Sequence, residues 1–298
     1  MISALDSYML FWLCILGLCF GSFFNVVILR SLRDESIVFP PSKCPKCNNR
    51  LKPWHNIPVL SYVFLGGKCA FCKENISIQY PIIELLTMGL FAWCFTSFGL
   101  TWKTLFAITV VSGMLIMTIT DIKEKLVDCN IAIGIAIIGI LYNGFVNHLW
   151  LDSILGLIIG VAVMELLARI GYFVSKERAF GEADTYIASC LGACFGVFGL
   201  FQVLIYTLFS SMLFIIPLFL YRQYKNNQKL LCVVFILFVL STLVYKSLAQ
   251  NWFVLGLLII LGLLLTILVL KNVKKDSELL YLPLVPAFFL GTLYFLFF

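Results

Sequence analysis

The chain has 298 residues, of which 62% are hydrophobic and only 12% are charged, and its formal net charge is +6. A soluble domain of this length carries less apolar side chain, because about half of its surface must face water. The composition therefore excludes an ordinary soluble enzyme and indicates a membrane protein with little mass outside the bilayer.

Apolar runs of roughly 17 to 25 residues recur along almost the whole chain, and each can cross ~30 Å of hydrocarbon as a helix. The first run lacks a basic segment before it and a small-residue cleavage site after it. We therefore interpret it as a retained helix and not as a signal peptide. We predict ten transmembrane helices, at residues 8–29, 82–99, 104–121, 129–147, 152–174, 184–199, 201–221, 229–248, 252–271 and 279–298.

Lysine and arginine fall almost entirely on one side of this predicted topology, since the opposite loops carry only Lys103 and Lys246. Because cytoplasmic loops are enriched in basic residues, we expect the long polar loop at 30–80 to be cytoplasmic and both chain ends to lie outside. The positive net charge then follows from topology and from the anionic inner leaflet of the bilayer. No nucleic-acid partner is predicted.

The polar loop contains two closely spaced cysteine pairs, Cys44-Pro-Lys-Cys47 and Cys69-Ala-Phe-Cys72. Two C-x-x-C turns supply four thiolates, which is a common ligand set for a tetrahedral zinc site. Two disulfides are the alternative, but a reducing cytoplasm disfavours them. Since four thiolates leave no open coordination position for water, we predict a structural zinc whose binding supplies much of the folding energy of the loop.

Two aspartates stand at the membrane edge on separate predicted helices. Asp121 closes the helix at 104–121 and Asp184 opens the helix at 184–199, so both lie at cytoplasmic helix ends in the predicted topology. Two carboxylates at matching depth can share a proton and activate one water, with one acting as base and the other as acid. Ordinary charged residues at a water boundary give the same pattern, so spacing alone leaves both interpretations open.

Glu165 and Arg169 fall inside the predicted helix at 152–174, one turn apart. We favour an intrahelical ion pair over a substrate contact. The acidic pair together with Glu165 is also compatible with an ion- or proton-coupled transporter, although no internal repeat or clearly broken helix supports that alternative. The chain has no H-E-x-x-H, G-x-S-x-G or Walker-type motif, which disfavours an intramembrane zinc protease and a serine hydrolase.

Several stretches, in order along the chain, resemble the bifunctional type IV prepilin leader peptidase and N-methyltransferase family. They are GSFFNVVI at 21–28, the two cysteine pairs with WHNIPVLSY at 54–62 between them, ISIQYP at 76–81 with ELL at 84–86, and LPLVP at 282–286 leading to Gly291. Each stretch alone is a weak signal, but their combination and order are specific and span nearly the full chain.

The resemblance implies that Asp121 and Asp184 are the catalytic residues of a membrane aspartic endopeptidase. The family carries its second aspartate in a G-x-G-D signature, which maps onto Gly181-Glu182-Ala183-Asp184. Ala183 departs from that signature. It would reduce activity if the backbone there needed a positive φ or a very close approach of the substrate.

The resemblance also implies a substrate, a cofactor and a location. The substrates are prepilins or pseudopilins, whose basic leader is cleaved at the cytoplasmic face of the bacterial inner membrane. The new N-terminus is then methylated with S-adenosylmethionine, and a peptidase that has lost this second activity is the alternative. Because the polar loop is itself basic, we expect local acids to contact the leader, and the candidates are Asp128, Glu182 and Glu124.

The expected architecture is an all-α polytopic membrane protein with about ten transmembrane helices and one cytoplasmic zinc-binding loop. Members of the family usually have eight helices, so residues 222–275 are interpreted as an inserted pair. The predicted organisation is a first helix at 1–29, the zinc loop at 30–80, a membrane catalytic core at 81–221, the inserted pair at 222–275 and a C-terminal helix at 276–298.

Overall fold

A computed structural model describes residues 4–31, 35–36, 38–39, 41–175, 181–225 and 284–298 of the protein. Within these ranges the secondary structure is helical, and the only β pairing is two isolated bridges in the polar loop. A short 3₁₀ turn, Pro53–Asn56, precedes the second helix. The α-helices are α1 (Ala4–Ser31), α2 (Leu60–Phe64), α3 (Gln79–Phe98), α4 (Trp102–Glu124), α5 (Cys129–Phe145), α6 (Trp150–Ser175), α7 (Glu182–Lys225) and α8 (Val285–Phe297).

The helices coincide with the apolar runs, because a helix satisfies every backbone hydrogen bond within its own segment. In the described part of the chain, α1, α3, α4, α6 and α7 are long and apolar enough to cross a membrane, while α5 and α8 are shorter apolar helices. This confirms a polytopic helical membrane protein. The predicted helices at 229–248 and 252–271 lie outside the described residues, so the count of ten stays a prediction.

α7 is two helices joined at a break. Gly196 has φ 70° and ψ −174°, which is a conformation open essentially to glycine alone. The backbone N–H of Val197, just after the break, donates to the Asp152 carboxylate at 3.2 Å. The sequence predicts two helices here, separated at Gly199. The break lies three residues earlier because Asp152, at the start of α6, caps the second half at Val197.

Carbonyl groups before this break also have polar partners inside the helix bundle. The side-chain amide of Asn143 on α5 donates to the carbonyl oxygens of Ala193 at 3.1 Å and Cys194 at 2.8 Å. The hydroxyl of Ser153 also donates to the Ala193 carbonyl. A helix can be interrupted at membrane depth only where neighbouring groups take over its hydrogen bonds, as these side chains do.

Close helix packing depends on small residues at two interfaces. A Cβ placed on Gly21 of α1 would overlap the backbone of Glu84 on α3. Gly156 of α6 and Gly192 of α7 likewise bring their backbones into direct contact. Such contacts are typical of membrane helices, whose association depends on packing because lipid removes the usual hydrophobic driving force.

Two apolar clusters bring the helix ends of interest together. The larger one joins α4, α5, α7 and α8 through buried residues that include Met114, Leu191 and Phe288. A smaller cluster joins α1, α3 and α4 through Ile28, Ile83 and Ile116. The end of α4 therefore lies beside the start of α7, the start of α8 and the end of α1.

Candidate active site and metal centre

The four loop cysteines converge on one point. The sulfur atoms of Cys44, Cys47, Cys69 and Cys72 all lie within 4.8 Å of one another, and those of Cys44 and Cys72 are 3.9 Å apart. A tetrahedral zinc with bonds of about 2.3 Å separates its sulfur ligands by about 3.8 Å, so the cluster fits such an ion. None of the four is in a disulfide. The arrangement suits a closed four-thiolate site and excludes the disulfide alternative in this structure.

The two cysteine turns are built in the same way. In the first, the N–H of Cys44 donates to the Asn49 carbonyl at 3.0 Å, and the N–H of Asn48 donates back to the Cys44 carbonyl at 2.9 Å. Cys69 makes the equivalent bonds with Glu74 and Lys73 in the second turn. Such turns curl the backbone so that its N–H groups point at the sulfur atoms.

This backbone curl changes the acidity of one ligand. Backbone N–H groups of Cys72 and Phe71 hydrogen-bond the Cys69 sulfur, and they lower the pKa of its thiol to about 7. Zinc binds the thiolate form, and this turn favours it at Cys69 only, because burial and hydrogen bonds with the neighbouring thiols raise the pKa of Cys72 to about 11.

A buried acid ties the loop to the membrane helices. Glu84 on α3 is only 5% exposed, and its carboxylate accepts a 2.7 Å hydrogen bond from the backbone N–H of Val59. Val59 has a φ of 59°, a rare value for a β-branched residue, so this contact holds the loop in a strained turn. Next to it, the Asn25 amide of α1 donates to the Tyr80 carbonyl at 3.2 Å. The sequence places Glu84 at a helix start, but nothing local indicates its partner on the loop.

The structure brings Asp121 and Asp184 together. Asp121 lies in the last turn of α4 and is 8% exposed, while Asp184 lies in the first turn of α7 and is half-buried. The two carboxylates are close enough to interact electrostatically. Two acids that approach from different helices at a half-buried position can share a proton and hold a water between them.

Backbone donors hold each carboxylate in place. The N–H of Val285, the first residue of α8, donates to Asp121 at 3.2 Å, and the N–H of Gly181 donates to Asp184 at 3.0 Å. The Lys125 ammonium also acts on Asp121 electrostatically. Sequence reasoning missed the Val285 contact because a backbone donor has no side-chain signature. The signal that could have located it is Pro286, since proline is favoured in the first turn of a helix.

Ala183 adopts ordinary helical geometry. It lies in the first turn of α7, and it is absent from the described residues that have a positive φ. The backbone conformation therefore does not require a glycine here. Ala183 would reduce activity only if the substrate had to approach the backbone very closely at this position.

The three acids suggested for leader recognition have different surroundings. Glu124 and Glu182 are exposed, at the end of α4 and the start of α7, next to the aspartate pair. Asp128 instead caps α5, where one carboxylate oxygen accepts from the Asn130 N–H at 3.0 Å and the other from the Ser31 hydroxyl at 3.1 Å. Asp128 thus ties the end of α1 to the start of α5.

Glu165 and Arg169 both lie on α6, one turn apart, and neither is brought to the aspartate pair by a described contact. Their intrahelical pairing stays a prediction.

Comparison with known proteins gives two consecutive family matches. Residues 15–98 match the bacterial peptidase A24 N-terminal domain, and residues 108–220 match the type IV leader peptidase family. No solved structure gave a significant match.

Individual relatives cover most of the chain. A protein of Myxococcus xanthus is 35% identical over 67% of this chain, although the match spans only 59% of that relative. A Neisseria gonorrhoeae protein is 31% identical over 76% of this chain and 87% of its own length, and a Pseudomonas aeruginosa protein is 31% identical over 68% and 78%. All three carry the name prepilin leader peptidase/N-methyltransferase.

Proposed function

Because the chain belongs to the type IV leader peptidase family, we propose that it cleaves the basic leader of type IV prepilins or pseudopilins and then N-methylates the new N-terminus. The observation that carries the proposal is the convergence of Asp121 and Asp184, each held by a backbone N–H. Family membership favours this function over the ion- or proton-coupled transporter.

In the proposed mechanism one carboxylate takes a proton from the water held between the pair. The resulting hydroxide attacks the carbonyl carbon of the scissile peptide bond, and the other aspartate, in its protonated form, donates its proton to the carbonyl oxygen. Collapse of this tetrahedral species transfers a proton to the leaving nitrogen and breaks the C–N bond. No covalent enzyme intermediate forms, and the N–H groups of Val285 and Gly181 keep both carboxylates aimed at the water.

One contact and the charge of the loop support a cytoplasmic location for this chemistry. The Ser31 hydroxyl, at the point where α1 leads into the basic loop, bonds Asp128 in the segment that follows Asp121. The zinc loop and the aspartate pair therefore share one end of the molecule, and the positive-inside rule places the basic end in the cytoplasm. The exposed Glu124 and Glu182 are the acids that we propose for the basic leader. Asp128 is less suited, since both of its oxygens are engaged.

The two cofactors have separate roles in this proposal. Zinc bound by Cys44, Cys47, Cys69 and Cys72 organises the loop and takes no part in cleavage, because four thiolates complete its coordination. S-adenosylmethionine supplies the methyl group for the second step.

The test is a cleavage assay with the purified protein in lipid vesicles, a prepilin substrate and a methyl-labelled donor. Asp121→Asn and Asp184→Asn should each reduce cleavage by at least about 10²–10⁴-fold, since acid–base catalysis contributes that much. Glu165→Gln is the matched control and should cleave normally. Normal cleavage by either aspartate variant would overturn the mechanism, and cleavage by the wild-type protein without label transfer would favour the peptidase-only alternative.

A further inference from the structure

The short helix α2 of the polar loop has an apolar face that is exposed in the described part of the chain. Leu60, Val63 and Phe64 are 55%, 66% and 83% exposed. Residues three and four positions apart are neighbours on a helix surface, so these three side chains form one face. The other side of α2 is packed, because the half-buried ring of Tyr62 lies beside Gly67. We call the exposed side the apolar face of α2.

Further apolar side chains are exposed just before this face. Trp54 is 60% exposed and Ile57 is 45% exposed. Ile57 adjoins α2, since its carbonyl accepts a 3.0 Å hydrogen bond from the Ser61 N–H in the first turn of the helix. Single exposed apolar residues are ordinary on a protein surface, whereas several together mark a surface that contacts a partner or a membrane. The apolar face of α2 therefore needs an occupant.

A hydrogen bond sets the depth of α2 relative to the membrane helices. The backbone N–H of Val59, the residue before α2, donates to the Glu84 carboxylate at 2.7 Å. Glu84 lies five residues after the start of α3, which is about 7 Å along the axis of that helix. Because α3 is long and apolar enough to cross a membrane, α2 begins level with the first turns of a spanning helix. That depth corresponds to the membrane surface.

Side chains of α3 at this depth already point outward. Ile78, directly before α3, is 65% exposed, and Ile82 and Leu85 in its first two turns are 47% and 46% exposed. Exposed apolar side chains on a spanning helix contact the acyl chains of the bilayer. The apolar face of α2 therefore lies at a level where lipid, and not bulk water, surrounds the protein.

The charge of the loop also suits a lipid surface. Between residues 41 and 78 the only acid is Glu74, while six residues are basic: Lys43, Lys46, Arg50, Lys52, Lys68 and Lys73. Basic segments next to a membrane are attracted to anionic headgroups. The Lys52 ammonium lies 5.3 Å from the centre of the Trp54 ring, and tryptophan and lysine are both typical of the membrane–water interface.

We propose that α2 is an interfacial anchor, whose apolar face inserts into the lipid leaflet on the loop side of the membrane. Amphipathic segments with basic flanks bind in this way, with the apolar side buried about 5–10 Å into the boundary between headgroups and acyl chains. The anchor lays the zinc loop against the bilayer surface, so the loop does not project into water as a separate domain. This inference goes beyond the proposed function and needs only the membrane position of the helices.

The backbone at the start of α2 is consistent with a second point of attachment. Val59 has a φ of 59°, which is a strained value for a β-branched residue. Such strain persists only where the surrounding contacts compensate for it. The Glu84 hydrogen bond supplies one of these contacts. Burial of Leu60, Val63 and Phe64 in lipid supplies another, immediately after the strained residue.

The test is photocrosslinking of the full-length protein in nanodiscs of phosphatidylcholine and phosphatidylglycerol. The photoreactive residue p-benzoylphenylalanine in place of Phe64 should form phospholipid adducts, detected by mass on the peptide that carries it. The yield should be within about threefold of the yield at Phe11, an exposed position of the membrane helix α1. The aqueous control is Lys46, because it is exposed and forms a 3.9 Å ion pair with the exposed Glu74. Its adduct yield should be at least about tenfold lower.

A charge on the same face gives a second measurement. Phe64→Asp should accelerate backbone hydrogen exchange over residues 60–65 by at least about fivefold, because α2 loses its lipid contact. A side chain that faced water at this position could be replaced with little effect. Asn75→Asp adds the same charge at an exposed position of the loop and is the matched control, with unchanged exchange in α2. Zinc content is measured for each variant, and if Phe64→Asp loses its zinc, the crosslinking yield alone decides.

The outcomes separate lipid from the other possible occupants. A lipid yield at position 64 as low as that at Lys46, or normal exchange in a zinc-loaded Phe64→Asp protein, overturns the anchor and places the face in water. Crosslinks to an added prepilin in place of lipid assign the face to the substrate, and crosslinks to a second copy of this chain assign it to a dimer interface. Either result overturns the anchor. Lipid adducts in a protein that does not cleave prepilin overturn the proposed function and leave the anchor standing.

Discussion

The backbone N–H of Val285 donates a 3.2 Å hydrogen bond to the carboxylate of Asp121, which lies 164 positions earlier in the chain. The bond joins the first turn of the last helix to the last turn of α4, and the donor is at the positive end of the α8 dipole. The first residue of the last helix, Val285, therefore holds the Asp121 carboxylate in place.

Removal of this donor should impair cleavage. Val285→Pro deletes the N–H at a helix position where proline is tolerated, and a hydrogen bond to a charged group contributes about 1.5–3 kcal/mol. We expect the cleavage rate to fall about 10- to 100-fold, measured as kcat on a prepilin substrate. Val285→Ala keeps the N–H and removes more of the buried side chain, so it should reduce stability but leave kcat near wild type. Equal losses of kcat in the two variants would show that packing matters and the hydrogen bond does not.

Restoring the family glycine at position 183 should not increase activity. Ala183 is helical, so Ala183→Gly relieves no backbone strain and instead costs about 0.5–1 kcal/mol of helix stability. We expect equal or slightly lower cleavage and a lower unfolding temperature, measured on matched preparations. A clear gain in kcat would mean that the Ala183 methyl group obstructs the substrate.

The sequence predicted features that depend on local pattern. The membrane helices follow from apolar length, and the cysteine cluster follows from two C-x-x-C turns whose ligands are close in sequence. The meeting of Asp121 with Asp184 depends on α5 and α8, which each pack against both α4 and α7, so spacing alone could not separate it from two unrelated surface acids. The Val285 contact and the Glu84–Val59 contact were beyond sequence reasoning, since in each the donor is a backbone N–H on a different structural element, which leaves no mark in the side-chain pattern.

The position of the break in α7 shows a subtler limit. Gly192, Gly196 and Gly199 fall within two turns of one another, and the sequence does not distinguish their roles. Gly192 serves close packing against α6, whereas Gly196 carries the break. The difference comes from Asp152, which lies opposite Gly196 only because of tertiary packing.

Loss of one cysteine should release the metal and unfold the loop around it. Cys47→Ser removes one of four clustered ligands, so the zinc content should fall from about one ion per chain to well below half of that. Because metal binding supplies much of the folding energy of the loop, the loop should lose its fold in this variant, while Asp121 and Asp184 on the membrane helices should still cleave the substrate at a reduced rate.

Elemental analysis of the purified protein measures the zinc, and Cys14→Ser is the control, since Cys14 lies on α1 outside the cluster. Full zinc content in Cys47→Ser would contradict the four-thiolate site.

A side chain at the break in α7 should be strongly destabilising. At Gly196 an added Cβ would overlap the Asp152 carboxylate, and the φ of 70° with ψ of −174° is itself costly for any other residue. We expect Gly196→Ala to lose at least about 1–3 kcal/mol of stability, seen as a lower unfolding temperature in detergent. Gly134→Ala is the matched control, because a Cβ there meets open space on helical backbone, where alanine is favoured by about 1 kcal/mol. If Gly196→Ala is as stable as Gly134→Ala, then α7 can close its break into a continuous helix, and the Asp152 cap does not determine its geometry.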